Sequence, residues 1–212
     1  MEEIFFEKLR EKVLPYFERE GHGFDHVDRV YKLALKIIED ENIDIDIVKA
    51  AVLLHDIARS KEGLGKNNIC HAEEGAKMAV EILKESDFPD DKIDAVAYAI
   101  SVHRYRKGSK AETEEAKILQ DADRLDALGA VIITRMMEFV VKHNLLVYDS
   151  TSFDNNESHG PRSTVIGHIR GKLLKMTPDS FYTKRARELA KGRYEFVKDF
   201  AERYVKEVEG EW

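Results

Sequence analysis

The chain has 212 residues, 43% of them hydrophobic, so it is long enough to bury one substantial core. Its 34 basic and 41 acidic residues give a formal net charge of -7, which disfavours a protein held on nucleic acid by its overall field. The sequence has one cysteine, which excludes an internal disulfide, and no apolar run approaches the roughly 20 residues that span a bilayer. The start of the chain has no features of a secretory signal, so we expect a cytoplasmic protein without a membrane partner.

Apolar residues recur at helical spacing along most of the chain. In chain order, the spacing predicts a leading helix within residues 1–20, then helices near 24–40, 47–58, 72–85, 91–103, 114–143 and 180–208. No segment alternates as a strand would, and the turn-rich segments are too short to be domain linkers. We expect an all-α fold, a single-domain helical bundle over residues 1–212, closed by the segment after about residue 165.

Polar residues interrupt the apolar faces of three of these helices. His26 follows the face of the first, His55 and Asp56 stand together on the second, and Asp123 lies on a later one. An unpaired polar group is costly to bury, so each of these side chains needs a partner. A mixed set of nitrogen and oxygen donors suits a divalent metal ion such as Mn, Mg, Co, Ni, Fe or Zn.

Each of these residues taken alone has a simpler interpretation. A single His on an apolar face is more often a hydrogen-bonded core residue than a ligand, and a buried Asp can pair with Arg59 or Arg124. Because His, His-Asp and Asp fall on three successive inward faces, chance placement is the weaker account. The pattern therefore predicts a metal site.

The order of these donors resembles the HD-domain phosphohydrolase superfamily, whose signature is an early His, a His-Asp pair and a later Asp on separate helices. His26 stands in Gly-Phe-Asp-His-Val-Asp-Arg-Val, His55 and Asp56 stand in Leu-Leu-His-Asp-Ile-Ala-Arg, and Asp123 stands in Gln-Asp-Ala-Asp-Arg-Leu-Asp-Ala. The resemblance covers about residues 20–130. It implies a metal-dependent phosphohydrolase with an HD-type core, in which these four residues bind the metal.

Three carboxylates crowd the last of these motifs, and spacing alone does not choose among Asp121, Asp123 and Asp126. The family's Ala-Asp-Arg pattern favours Asp123 as the ligand. Asp121 and Asp126 are then expected to be partly exposed residues that form ion pairs or support the ligands.

His71 and His103 raise the question of a second metal. They resemble the additional histidines of the binuclear HD-GYP phosphodiesterases, but the Gly-Tyr-Pro element of that group is absent, which argues against cyclic dinucleotide cleavage. At this point metal binding and contact with substrate phosphate both remain open for the two histidines.

A phosphohydrolase also needs cations for the phosphate oxygens. Arg59 and Arg124 follow the predicted ligands and are the candidates for this role, alongside His55 and Asp56 as catalytic residues. Four further basic residues are weaker candidates: Lys61, Lys66, Arg104 and Arg106.

The layout of the chain resembles small HD proteins that act as nucleotide pyrophosphohydrolases. The resemblance implies a deoxynucleoside triphosphate substrate, cut at the α phosphorus to give monophosphate and pyrophosphate. The alternatives are an HD-type phosphodiesterase, a 5'-nucleotidase and a non-catalytic regulatory protein that binds metal or nucleotide. Nucleic-acid hydrolysis ranks last, because the acidic composition supplies no basic stripe.

Overall fold

The computed structural model describes residues 1–17, 23–38, 43–61, 70–104, 110–150 and 164–211. Within these ranges the regular structure is helical and contains no strand, which confirms the all-α prediction. No helix in the described part of the chain is long and apolar enough to cross a membrane. The chain divides into two compact units, Met1–Asp123 and Arg124–Trp212. That the chain forms a single domain stays a prediction.

The first unit contains the helices that carry the predicted ligands. In chain order they are α1 (Glu3–Val13), α2 (Phe24–Ile37), α3 (Ile45–Leu54), α4 (His71–Lys84), α5 (Asp90–Val102) and the first ten residues of α6 (Glu114–Asp126). Short 3₁₀ turns follow α1 at Leu14–Tyr16 and α3 at Arg59–Lys61.

Helix α3 is the central element of this unit and contacts α1, α2, α4 and α5. It is apolar on nearly every face, as expected of a helix surrounded by other helices. Its N-terminus is fixed by Asp44, whose carboxylate accepts hydrogen bonds from the backbone N–H of Asp46 at 3.0 Å and of Ile47 at 3.4 Å. At the other end of α3, the C-cap residue His55 is fully buried.

Helix α2 is amphipathic and buries one face. Val27, Val30, Leu33 and Ile37 lie on that face together with His26, which is only 3% exposed. Fully burying one such aliphatic side chain contributes about 1.5–3 kcal/mol. The predicted inward position of His26 is confirmed.

The second unit contains the end of α6 and three further helices that contact one another. These are α7 (Ala130–His143), α8 (Val165–Gly171) and α9 (Lys184–Val208), with 3₁₀ turns at Leu173–Lys175 and Pro178–Ser180. The segment after residue 165 is therefore helical, as predicted, although it is divided into several pieces.

The prediction of one helix over residues 114–143 is wrong, because the helix is interrupted between α6 and α7. Gly129 has φ +90°, a conformation that side chains rarely adopt, and a Cβ there would lie 3.2 Å from Cγ of Arg193. The Arg193 guanidinium donates to the carbonyl oxygens of Leu125 at 2.8 Å and Leu128 at 3.3 Å. Arg193 thereby binds one carbonyl group in the last turn of α6 and one just beyond the end of this helix.

Gly192 gives a test of the helical backbone in the second unit. It lies inside α9, and a Cβ at this position would meet nothing within 4 Å. We expect Gly192→Ala to raise the free energy of unfolding by about 1 kcal/mol, because alanine loses less backbone entropy than glycine in a helix. Urea denaturation measures the change. Gly129→Ala is the control with the opposite expected sign, because its positive φ disfavours a side chain, and it should destabilise the protein. Equal changes in the free energy of unfolding for the two substitutions would contradict this account.

Candidate metal centre

Six chemically active side chains meet inside the first unit, most of them at helix ends. His26 lies in the first turn of α2, His55 and Asp56 follow α3, and His71 begins α4. His103 follows α5 directly, and Asp123 lies within α6. Five of the six are at most 3% exposed, whereas the Asp123 side chain is 31% exposed. One edge of the cluster is therefore accessible through Asp123.

The first donor group consists of His26, His55 and Asp123. The Nε2 atoms of His26 and His55 lie 3.3 Å apart, and Oδ1 of Asp123 lies 3.3 Å from Nε2 of His26. One ligand atom from each residue lies within 4.8 Å of the other two. Two nitrogens and one oxygen thus face a common point.

The second donor group consists of Asp56, His71 and His103. Oδ1 of Asp56 lies 3.2 Å from Nε2 of His71 and 3.7 Å from Nε2 of His103, and these two nitrogens are 3.3 Å apart. The three ligand atoms again lie within 4.8 Å of one another.

Asp56 stands between the two groups. Its second oxygen, Oδ2, lies 3.9 Å from Nε2 of His26 and 3.8 Å from Nε2 of His55, while Oδ1 faces His71 and His103. One carboxylate therefore presents a different oxygen to each donor group.

Backbone carbonyl groups fix the protonation of two of the imidazole rings. Nδ1 of His55 lies 2.7 Å from the carbonyl oxygen of Val52, and Nδ1 of His103 lies 2.6 Å from that of Ile100. A carbonyl oxygen only accepts, so each Nδ1 carries a hydrogen and each Nε2 is directed at the cluster. This is the arrangement that metal-binding histidines commonly show.

The carboxylates of the cluster are ionised at neutral pH. Burial works against ionisation, yet His55 and His103 hold the pKa of Asp56 well below its usual range. Asp123 is only partly buried, and a hydrogen bond with His26 outweighs the effect of that burial and keeps its pKa below the ordinary value. Burial lowers the pKa of His55, whereas the carboxylates of Asp56 and Asp123 raise that of His103 in spite of its burial. The two ionised carboxylates therefore give the cluster negative charge, which favours the binding of a cation.

The donor set fits divalent cations. Ligand atoms about 2.1 Å from one ion lie about 3.0–3.4 Å from each other, and the 3.3 Å separations within both groups fall in that range. Each group could hold one ion.

The predicted ligands divide between the two groups, although Oδ2 of Asp56 also lies within 3.9 Å of Nε2 of His26 and of His55. His26, His55 and Asp123 share the first group, whereas Asp56 also belongs with His71 and His103. His71 and His103, for which both metal binding and phosphate contact remained open, thus lie beside the carboxylate of Asp56. Their assignment as ligands stays a prediction.

Arg59 reaches the second donor group. Its Nη1 lies 3.2 Å from Nδ1 and 3.1 Å from Nε2 of His71, and its charge helps to keep the pKa of Asp56 low. Its predicted position beside the site is consistent with this geometry.

The weaker basic candidates differ in position. Lys61 forms an ion pair with Glu74 at 3.1 Å, and Nη1 of Arg104 lies 3.7 Å from Sγ of Cys70, the residue before α4. Lys66 and Arg106 lie outside the described residues.

Arg124 lies in the second unit and is only 3% exposed. Its Nη1 donates to the carbonyl oxygen of Ser180 at 2.8 Å, its Nη2 donates to the hydroxyl of the same residue, and its guanidinium lies 4.1 Å from the ring centroid of Phe181. The predicted contact of Arg124 with phosphate stays a prediction.

The expectation that Asp121 and Asp126 are partly exposed is wrong. Asp121 is 0% and Asp126 is 1% exposed, because α6 is buried on nearly all sides and has no solvent face in this region. The ion pair expected of Asp126 is present, with Nη1 of Arg135 at 2.9 Å. Gln120 is also 0% exposed and was not among the predicted site residues. The sequence signal that could have identified it is that Gln120 and Asp121 are polar residues between the apolar Leu119 and Ala122.

The fold and the two donor groups define an all-α protein with a candidate divalent-metal centre, and comparison with known proteins places it in a family. The HD domain model matches residues 23–128, half of the chain. YpgQ of Bacillus subtilis, an uncharacterized protein, is 31% identical over 201 residues that cover 91% of this chain and 87% of YpgQ. The chain belongs to the HD domain family.

Solved structures agree with this membership. An HD-superfamily hydrolase from Bacillus thuringiensis is 30% identical, with a TM-score of 0.72 over 96% of each chain. The structure of Bacillus subtilis YpgQ in complex with ADP is 28% identical, with a TM-score of 0.73 over 98% of this chain and 100% of that one.

Proposed function

We propose that this protein is a metal-dependent phosphohydrolase that cuts deoxynucleoside triphosphates at the α phosphorus. The observation that carries the proposal is the pair of buried donor groups with Asp56 between them. The likeness to an HD-superfamily hydrolase supports hydrolysis, and the complex of YpgQ with ADP supports a nucleotide as the substrate.

The side chains of the cluster hold complementary roles in this reaction. Asp56 and Asp123, ionised at neutral pH, supply oxygen donors, and His55 and His103 hold their Nδ1 hydrogens on backbone carbonyls so that Nε2 faces inward. A divalent cation, when bound, activates water and offsets negative charge on phosphoryl oxygens. The protein residues thus organise a charged centre in a site that is largely closed to solvent.

Arg59 is the proposed contact for the phosphate chain. Its guanidinium lies beside His71 of the second donor group, and its planar set of N–H donors suits phosphate oxygens. In the proposed reaction the oxygen of water bonds to the α phosphorus, the bond to the leaving pyrophosphate breaks, and the proton of water is released. Because negative charge grows on the leaving oxygens, a guanidinium placed there would stabilise the transition state. Arg124 is proposed as a second contact.

Product analysis tests the proposal. One deoxynucleoside triphosphate is incubated with the protein and Mn²⁺, and chromatography should find monophosphate and pyrophosphate in equal amounts. Removal of the metal with EDTA should stop the reaction. Intact triphosphate released as a product, or a preference for monophosphates, would contradict the proposed scissile bond and favour a triphosphohydrolase or a 5'-nucleotidase. Cleavage confined to phosphodiesters would favour a phosphodiesterase, and nucleotide binding without turnover a regulatory protein.

A further inference from the structure

Gln120 is a fully buried polar residue in α6 that the proposed reaction does not use. Its Nε2 donates a hydrogen bond of 2.9 Å to the carbonyl oxygen of Val102. Val102 is the last residue of α5, where carbonyl groups lack partners within the helix. The Gln120 amide therefore caps the C-terminal end of α5 from a different helix.

His103 follows Val102 directly and depends on the same helix end. Its ring donates from Nδ1 to the carbonyl oxygen of Ile100 at 2.6 Å, and its backbone N–H donates to that same oxygen at 3.3 Å. Both bonds fix the ring relative to the last turn of α5. A shift of this turn would move Nε2 of His103, which lies 3.3 Å from Nε2 of His71.

The helix that supplies the cap also supplies a donor to the other group. Asp123 stands three residues after Gln120, about one turn farther along α6. The bond from Gln120 to Val102 thus links the helix that carries Asp123 with the helix end that carries His103. It fixes the spacing between one member of each donor group.

We propose that Gln120 is a positioning residue that holds His103 with Nε2 directed at Asp56 and His71. Its amide does not touch the donor atoms itself; it acts through the end of α5. As far as metal binding is concerned, the inference rests on the proposed function.

The test compares two variants that each lose one capping hydrogen bond. Gln120→Met removes the amide donor at nearly constant volume. Ser86→Ala is the matched control: the Ser86 hydroxyl donates to the carbonyl oxygen of Ile82 at 2.6 Å, at the end of α4 opposite to His71. Both variants should lose thermal stability, and Ser86→Ala also removes the acceptor for Nζ of Lys12 at 3.1 Å, so stability alone does not decide between a structural and a positioning role.

Metal affinity separates the two roles. We expect Gln120→Met to weaken Mn²⁺ binding about 10- to 100-fold, as loss of a group that orients a ligand does, and Ser86→Ala to leave it unchanged. In a His103→Ala background, Gln120→Met should cause no further loss, because its effect passes through His103. Additive losses, or an unchanged affinity in Gln120→Met, would overturn the proposal.

A second readout is independent of metal and of activity. In the metal-free protein with ¹⁵N-labelled histidine, the Nδ1–H resonance of His103 reports its bond to Ile100. Gln120→Met should shift or broaden this resonance, and Ser86→Ala should not. If the wild-type protein bound no Mn²⁺, the proposed function would fail, but this resonance would still test the role of Gln120. An unchanged His103 signal in Gln120→Met would refute that role.

Discussion

Asp56→Asn is expected to lower metal affinity at both donor groups and to reduce hydrolysis by more than about 100-fold. Loss of a residue that merely orients a ligand costs about 10- to 100-fold, and Asp56 supplies the donor atoms themselves. Oδ1 and Oδ2 face different groups, so the neutral amide would place an NH2 group, which does not bind a cation, where one group now has a charged oxygen. Metal content by elemental analysis and turnover of a deoxynucleoside triphosphate measure the effect.

The matched control for this experiment is Asp121→Asn. Asp121 is buried as fully as Asp56 but belongs to neither donor group, so its substitution should leave metal content unchanged. His71→Ala should weaken only the second group. Full metal content and turnover in Asp56→Asn, with circular dichroism showing intact helices, would refute the position of Asp56 between two metal sites.

The sequence predicts the helices of the first unit and the inward direction of its ligands for a physical reason. Helical periodicity assigns each residue to a face, so a histidine in line with Val30 and Leu33 is expected to be buried with them. The same logic identified His55 beside Ala51 and Ala58. Periodicity works for α2 because this helix has one apolar face, whereas α3 is apolar on nearly every face, so that a residue at its end is expected to be buried.

Distances between helices are not encoded in such patterns, and the grouping of the donors was therefore not predicted. Whether Asp56 lies nearer to His26 or to His71 depends on how α2, α4 and α5 pack around the end of α3. The sequence motif lists Asp56 with His26, His55 and Asp123, whereas the geometry gives it two sets of neighbours. Only the packing of the helices separates the donors into two groups.

The break before α7 also escapes periodicity. The apolar pattern continues through residues 127–129, and one glycine with positive φ ends the helix where no proline marks the break.

Arg124 illustrates a related limit. Its place beside Asp123 in the sequence indicated a phosphate contact. In the folded chain its buried guanidinium contacts the carbonyl oxygen of Ser180 and the ring of Phe181, which lie far from Arg124 in the sequence.

Arg124→Met is expected to lower the free energy of unfolding by about 3 kcal/mol, because it removes a charged donor from the Ser180 carbonyl and a cation from the Phe181 ring. Urea denaturation measures this loss. Arg187→Met is the control. Arg187 donates to the carbonyl oxygens of Phe181 at 2.8 Å and Tyr182 at 3.0 Å but is exposed, so this substitution should lower the free energy of unfolding by less.

The same variant separates the two roles of Arg124. If the guanidinium also binds the phosphate chain, KM for a deoxynucleoside triphosphate should rise in Arg124→Met by more than it does in Arg187→Met, measured at a temperature where both variants are folded. A destabilised Arg124→Met with wild-type KM would contradict the phosphate contact and leave the contacts with Ser180 and Phe181 as its role. Unchanged stability would contradict the structural role, because the substitution removes the guanidinium that donates to the Ser180 carbonyl.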